Sequence, residues 1–165
     1  MNESLPFSAI LDSSVVIAAF GGRFEENSRI CAEFVSKMRA ERRRLWIAAP
    51  TLAEINARPF PTPIVEGIAV VSFDRPAALI LAEKMPHECV RQFRDEGGAP
   101  MSYYKFDSLI VACGLRCKAE CLVSLDERQR HRSERAGLKA FHPSELADRQ
   151  RSLPFNEEPM LKSVP

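Results

Sequence analysis

Ser8-Ala9-Ile10-Leu11-Asp12-Ser13-Ser14-Val15-Val16 is a short apolar run that stops on an acid and two hydroxyls and then turns apolar again. The first part is too short for a helix and fits a buried strand over Ser8 to Leu11. Asp12-Ser13-Ser14 can cap a following helix, Val15 to Phe20, which Gly21-Gly22 breaks. A strand that passes directly into a helix is the opening of an α/β fold, and it leaves Asp12 where the strand ends.

The same alternation continues along the chain. A helix is expected from about Glu25 to Arg44, with Ile30, Phe34, Val35 and Met38 on one face, followed by a buried strand over Leu45 to Ala49. Thr51 can cap a short helix that carries Glu54, and Thr51-Leu52-Ala53-Glu54 also has the form of a capping box. Pro59, Pro61 and Pro63 form a stiff connection to a short strand, Ile68 to Ser72. Asp74 and Pro76 open a helix to Lys84, a second helical stretch covers His87 to Arg94, and Gly97-Gly98 with Pro100 reads as a loop. Tyr103-Tyr104-Lys105-Phe106 leads into a buried helix running from Asp107 to about Cys117. Glu120 to Leu125 reads as a strand ending before Asp126, and the basic stretch to Arg135 fits helix or ordered loop equally. Leu138 to Phe141 makes a last strand. Residues 1–147 thus form one domain, and 148–165, polar and proline-containing, form a C-terminal tail.

Apolar strands alternating with amphipathic helices predict a parallel sheet covered on both faces. Right-handed crossovers place the C-terminal ends of its strands along one edge, where open sheets bind ligands. Asp12, Glu54, Asp107 and Asp126 are all expected there. Carboxylates crowded together need a positive partner, and all-oxygen ligation suits Mg²⁺ or Mn²⁺. An ion so held activates water and polarises a phosphodiester, giving 5′-phosphate and 3′-hydroxyl products. Each acid also has a plain structural role: Asp12 and Asp107 as helix caps, Glu54 in the capping box, Asp126 in a turn. Ser13, Ser14 and Ser124 stand beside the acids, placed to orient a carboxylate or touch a phosphate or simply to cap and be solvated; Lys105 and Arg128 are candidates to meet a nucleic-acid backbone, and Tyr103, Tyr104 and Phe106 fit either base stacking or packing.

Composition narrows the field. The 165 residues are 45% hydrophobic, enough for a core, and 23 Lys and Arg against 22 Asp and Glu leave a net charge of +1 that identifies no partner. Two basic clusters, Lys37 with Arg39 and Arg42 to Arg44, and Arg128 to Arg135, read first as solvated helical faces. No secretory leader or membrane span is evident, so a cytosolic protein with its five cysteines reduced is expected. Cys113, Cys117 and Cys121 fit small buried hydrophobes better than a zinc site. No nucleotide-binding glycine loop, GxSxG elbow or HExxH pair occurs.

At these residues the sequence resembles the PIN-domain ribonucleases, and particularly the toxin subunit of VapBC toxin/antitoxin systems. The resemblance rests on Ile10-Leu11-Asp12-Ser13, on Thr51-Leu52-Ala53-Glu54, on Phe106-Asp107-Ser108-Leu109-Ile110-Val111-Ala112-Cys113, and on Leu122-Val123-Ser124-Leu125-Asp126. It spans residues 8 to about 146. It implies a three-layer α/β/α domain with strand order 3-2-1-4-5 and a Mg²⁺ or Mn²⁺ site formed by Asp12, Glu54, Asp107 and Asp126. It further implies RNA cleavage, a homodimer and an antitoxin inhibitor. The match departs from the family after Asp126, where Glu127-Arg128-Gln129-Arg130 replaces the usual Asp and Phe.

Overall fold

The computed structural model describes residues 5–21, 26–57, 67–86 and 101–148. In chain order its elements are β1 (Ser8–Leu11), α1 (Ser13–Phe20), α2 (Glu26–Ala40), β2 (Arg44–Ala48), α3 (Ala49–Asn56), β3 (Ala69–Val71) and α4 (Arg75–Lys84). These are followed by α5 (Met101–Arg116), β4 (Cys121–Val123), α6 (Glu127–Arg135), β5 (Lys139–Phe141) and α7 (Pro143–Asp148). The proline connection, the stretch from His87 to Arg94, the Gly97-Gly98 loop and the tail beyond residue 148 lie outside the described residues.

The five strands form one parallel sheet in the order β3-β2-β1-β4-β5. Alternation along the strands divides the core into two layers. Ala9, Leu11, Leu45, Ile47, Cys121 and Val123 join the layer containing Phe34 and Met38 of α2 and Leu146 of α7. Ile10, Ala48, Leu122 and Ala140 join the other layer, with Ile110, Val111 and Cys113 of α5. Phe34, Ile10, Met38 and Ile110 are among the largest fully buried side chains, each contributing about 1.5–3 kcal/mol by burial. This is the α/β/α arrangement and strand order expected from the sequence.

Several boundaries differ from the expectation. α2 ends at Ala40, and β2 starts at Arg44. α5 begins at Met101, so Tyr103 to Phe106 are helical and Asp107 lies inside the helix, away from its N-terminal cap. The burial of the Ile110 to Cys113 stripe holds this helix against the sheet and extends it backwards past the acid. The basic stretch after Asp126 is a helix, α6, capped by the Asp126 carboxylate, which accepts the Arg128 N–H at 2.9 Å. Cys113 and Cys121 are buried in different elements, and burial pushes the Cys113 thiol up to about 11.

Gly114 sets how closely α5 approaches the sheet. A Cβ there would stand 2.9 Å from Ile10 Cγ2 and 2.7 Å from Leu138 Cδ2. Leu138 has a free end to move, but Ile10 is branched at Cβ and fully buried in the central strand. Gly114→Ala is therefore expected to destabilise the fold by ~1 kcal/mol even after the gain in helix propensity. Urea denaturation measures this; unchanged or higher stability would mean the two side chains yield freely.

Candidate functional site

Asp12 follows β1, and its N–H donates to the Val123 carbonyl of β4 at 3.0 Å. Its residue is 5% exposed, and it occupies the N-cap position of α1 without making a side-chain cap bond. Its Oδ2 instead accepts the Ser14 hydroxyl at 2.6 Å and the Ser124 hydroxyl at 2.8 Å. Ser14 also accepts the Leu125 N–H at 3.2 Å, and Ser124 accepts the Asp126 N–H at 3.0 Å. Two hydroxyls thus connect the Asp12 carboxylate to the loop that carries Asp126, across 112 residues of sequence. The structural role open to Asp12 in the sequence, a helix cap, is not the role it has.

Asp107 is reached from the opposite layer, two turns into α5. Its Oδ2 accepts a bond of 2.6 Å from Arg132 Nη1, whose side chain is 4% exposed. The same nitrogen donates to Gln129 Oε1 at 2.8 Å, while Gln129 Nε2 donates to the Asp107 carbonyl at 3.0 Å. The Arg132 guanidinium lies 4.7 Å from the centre of the Tyr104 ring. Tyr104 is 3% exposed, so it is a packing residue rather than a platform for a base, whereas Phe106 is exposed. Burial pushes the Asp107 carboxyl up to about 6; Arg132 opposes that shift, and the charges of Asp12 and Asp126 add to it. The three aspartates therefore share one electrostatic environment.

Glu54 lies on α3, exposed, and is not among the charges acting on Asp107. The capping box available to it in the sequence does not form. α3 starts at Ala49, with Pro50 in its first turn, so Thr51 stands inside the helix. Among the described residues its buried hydroxyl has no hydrogen-bond partner. Ser13 is the half-buried first residue of α1, while Lys105 on α5 and Arg128 on α6 are exposed. The residues that sequence reading passed over are Gln129, Arg130 and Arg132. Gln129 and Arg132 are buried, and Arg130 Nη1 donates to the Ser124 carbonyl at 2.9 Å. The signal available was the i, i+3 spacing of Gln129 and Arg132 on the helix that Asp126 caps.

Carboxylate oxygens are the donors that Mg²⁺ or Mn²⁺ takes. Among the described residues, however, no group of three or more His, Cys, Asp or Glu is placed to hold an ion. In this arrangement the positive charge beside Asp107 comes from Arg132.

Two consequences are measurable. An unfolded aspartate titrates near ~4, so the folded chain holds the Asp107 proton more tightly, and the stability it contributes is lost as pH rises from ~4 through about 6. Carbon-detected NMR should find the Asp107 midpoint near 6, and Arg132→Met should move it higher; a midpoint in the ordinary range would refute the account. Removing the orphaned hydroxyl with Thr51→Val should raise the unfolding free energy by ~1 kcal/mol, and a loss would show that the hydroxyl has a partner.

No described helix is long and apolar enough to cross a membrane. Neither a protein-family model nor a curated protein matches the sequence. Among solved structures, the chain is similar to one in the crystal structure of VapBC2 from Rickettsia felis bound to a DNA fragment from their promoter. The likeness covers 81% of this chain and 97% of that one, at 12% identity and a TM-score of 0.54. At that identity the likeness is one of fold: a three-layer α/β/α chain whose parallel sheet runs in the order β3-β2-β1-β4-β5.

Proposed function

We propose that this chain is a PIN-like RNA-handling protein whose acidic edge, in the arrangement described, is a charge-balanced binding scaffold. The observation that carries this reading is the Arg132 to Asp107 pair. A buried guanidinium, fixed by Gln129 and stacked on Tyr104, already offsets the charge of Asp107, the candidate catalytic acid on α5. Separating such a pair leaves an uncompensated charge on both sides, so the arrangement is held firmly. RNA as the ligand follows from the family resemblance.

A second reading, divalent-metal-dependent endoribonuclease, has its own support. Asp12, Asp107 and Asp126 reach one edge from three elements, and Asp12 is oriented by two hydroxyls instead of being used as a cap. With Glu54 they are the residues that would hold Mg²⁺ or Mn²⁺, which when bound would supply charge stabilisation at a phosphodiester. On this reading Ser14 and Ser124 keep Asp12 in position, and Arg132 holds Asp107 through its Oδ2. Ser13, Lys105, Ser124 and Arg128 are the candidate contacts to the RNA. A homodimer and an antitoxin inhibitor are the partners that go with a toxin of this kind, as is a cytoplasmic location.

One experiment separates the readings. The purified chain is incubated with a panel of structured and single-stranded RNAs in Mg²⁺ or Mn²⁺, and binding and cleavage are followed together. The scaffold reading expects RNA to be bound and intact, with binding unchanged in Asp12→Asn. Cleavage that yields 5′-phosphate ends, stops in chelator and falls by about 100-fold or more in Asp12→Asn or Asp107→Asn would overturn it in favour of hydrolysis.

A further inference from the structure

The edge of the sheet opposite the aspartates has a different chemistry. Phe7 stands there immediately before β1, with 60% of its surface exposed. The guanidinium carbons of Arg43 and Arg44 lie 5.8 and 5.6 Å from the centre of its ring. Ser8 is in register with Arg44 on one side, and Ala9 with Cys121 on the other. The segments entering β2 and β4 therefore flank Phe7, about 10 Å apart.

Each of those segments carries a cation in an unusual conformation. The same backbone closure ends α2, α5 and α6. After α2, Arg42 N–H donates to the Arg39 carbonyl at 2.9 Å and Arg43 N–H to that of Met38 at 2.8 Å. After α5, Lys118 bonds to Leu115 at 3.1 Å and Ala119 to Gly114 at 2.9 Å; after α6, Gly137 bonds to Glu134 at 2.9 Å and Leu138 to Ser133 at 3.0 Å. This closure requires a left-handed residue, and glycine is the one that adopts it without strain. α6 has Gly137 there, at φ 91°, but α2 has Arg42 at φ 55° and α5 has Lys118 at φ 56°.

Helix dipoles do not account for the choice. They favour cations near helix C-termini, but α2 already has Lys37 and Arg39 in its last turn and α5 has Arg116. Both left-handed cations are exposed, and among the described residues neither has an ion-pair partner. The nearby acids are engaged: Glu41 pairs with Arg43 at 3.3 Å, and Glu120 accepts the Phe7 N–H at 2.7 Å.

We propose that this edge is an RNA-binding surface separate from the acidic one, on which Arg42, Arg44 and Lys118 hold the phosphates of a single strand passing Phe7. Exposed cations on both sides of an exposed aromatic ring are the arrangement that single-stranded nucleic acid recognises, through backbone charge and base stacking. An acidic protein would satisfy the same charges, and polyglutamate stands for it in the test below.

The conformation supplies its own control. Arg42→Gly and Lys118→Gly remove charge at positions where glycine relieves strain, so the double variant should have an unchanged or higher thermal midpoint. Fluorescence anisotropy with labelled oligouridylate, in chelator so that no hydrolysis intervenes, reads binding apart from any activity at the acidic edge. The wild-type chain should bind, and the double variant should bind about tenfold more weakly with a shallower dependence on salt. A double variant with the wild-type affinity and salt slope would overturn the proposal, as would a wild-type chain that fails to bind oligouridylate. Tighter binding to polyglutamate than to oligouridylate would assign the surface to an acidic protein and equally overturn it.

Discussion

The hydrogen bond from the Asp12 N–H to the Val123 carbonyl carries the ladder between β1 and β4 one residue beyond the last strand position of β1. Because β1 is the middle strand, paired to β2 on one side and β4 on the other, its end is held from both directions. Asp12 consequently enters its helix from a fixed point, and its carboxylate meets the hydroxyls of Ser14 and Ser124. The loop after β4 is then tied by those two hydroxyls, which places Asp126 and starts α6. From that helix Arg132 reaches Asp107.

A charged cluster at the end of a sheet is unfavourable unless its charges are compensated, and the two layers do this differently. On the Asp12 side, hydroxyl and amide dipoles carry the load. On the Asp107 side, a buried guanidinium does, with Gln129 and Tyr104 fixing its plane. The residual imbalance appears in the raised affinity of Asp107 for a proton. The cluster is thus held by hydroxyls on the Asp12 carboxylate and by a fixed guanidinium on Oδ2 of Asp107.

The parallel sheet also separates charge along its length. Asp12, Asp107 and Asp126 gather where its strands end, and Arg42, Arg44 and Lys118 lie where its strands begin. The net charge of +1, a sum over the whole chain, carries no sign of this polarity.

Hydrophobic periodicity determined the parallel α/β/α class, and the pairing of each strand with its helix followed from it, because alternation along short strands depends only on which side chains must leave water. Asp12 and Asp126 were legible as strand-end acids for the same reason. What needed the tertiary structure was the use each acid is put to. Asp12 stands at a cap position but bonds hydroxyls distant in sequence, Asp107 lies inside a helix that packing extended backwards, and Thr51 falls inside α3, too late to cap Glu54. Arg132 was the least legible of all. In sequence it is one of several arginines on a polar helix, and only the rotation of α6 against α5, set by burying Gln129, Ser133 and Ala136, decides that this one faces Asp107.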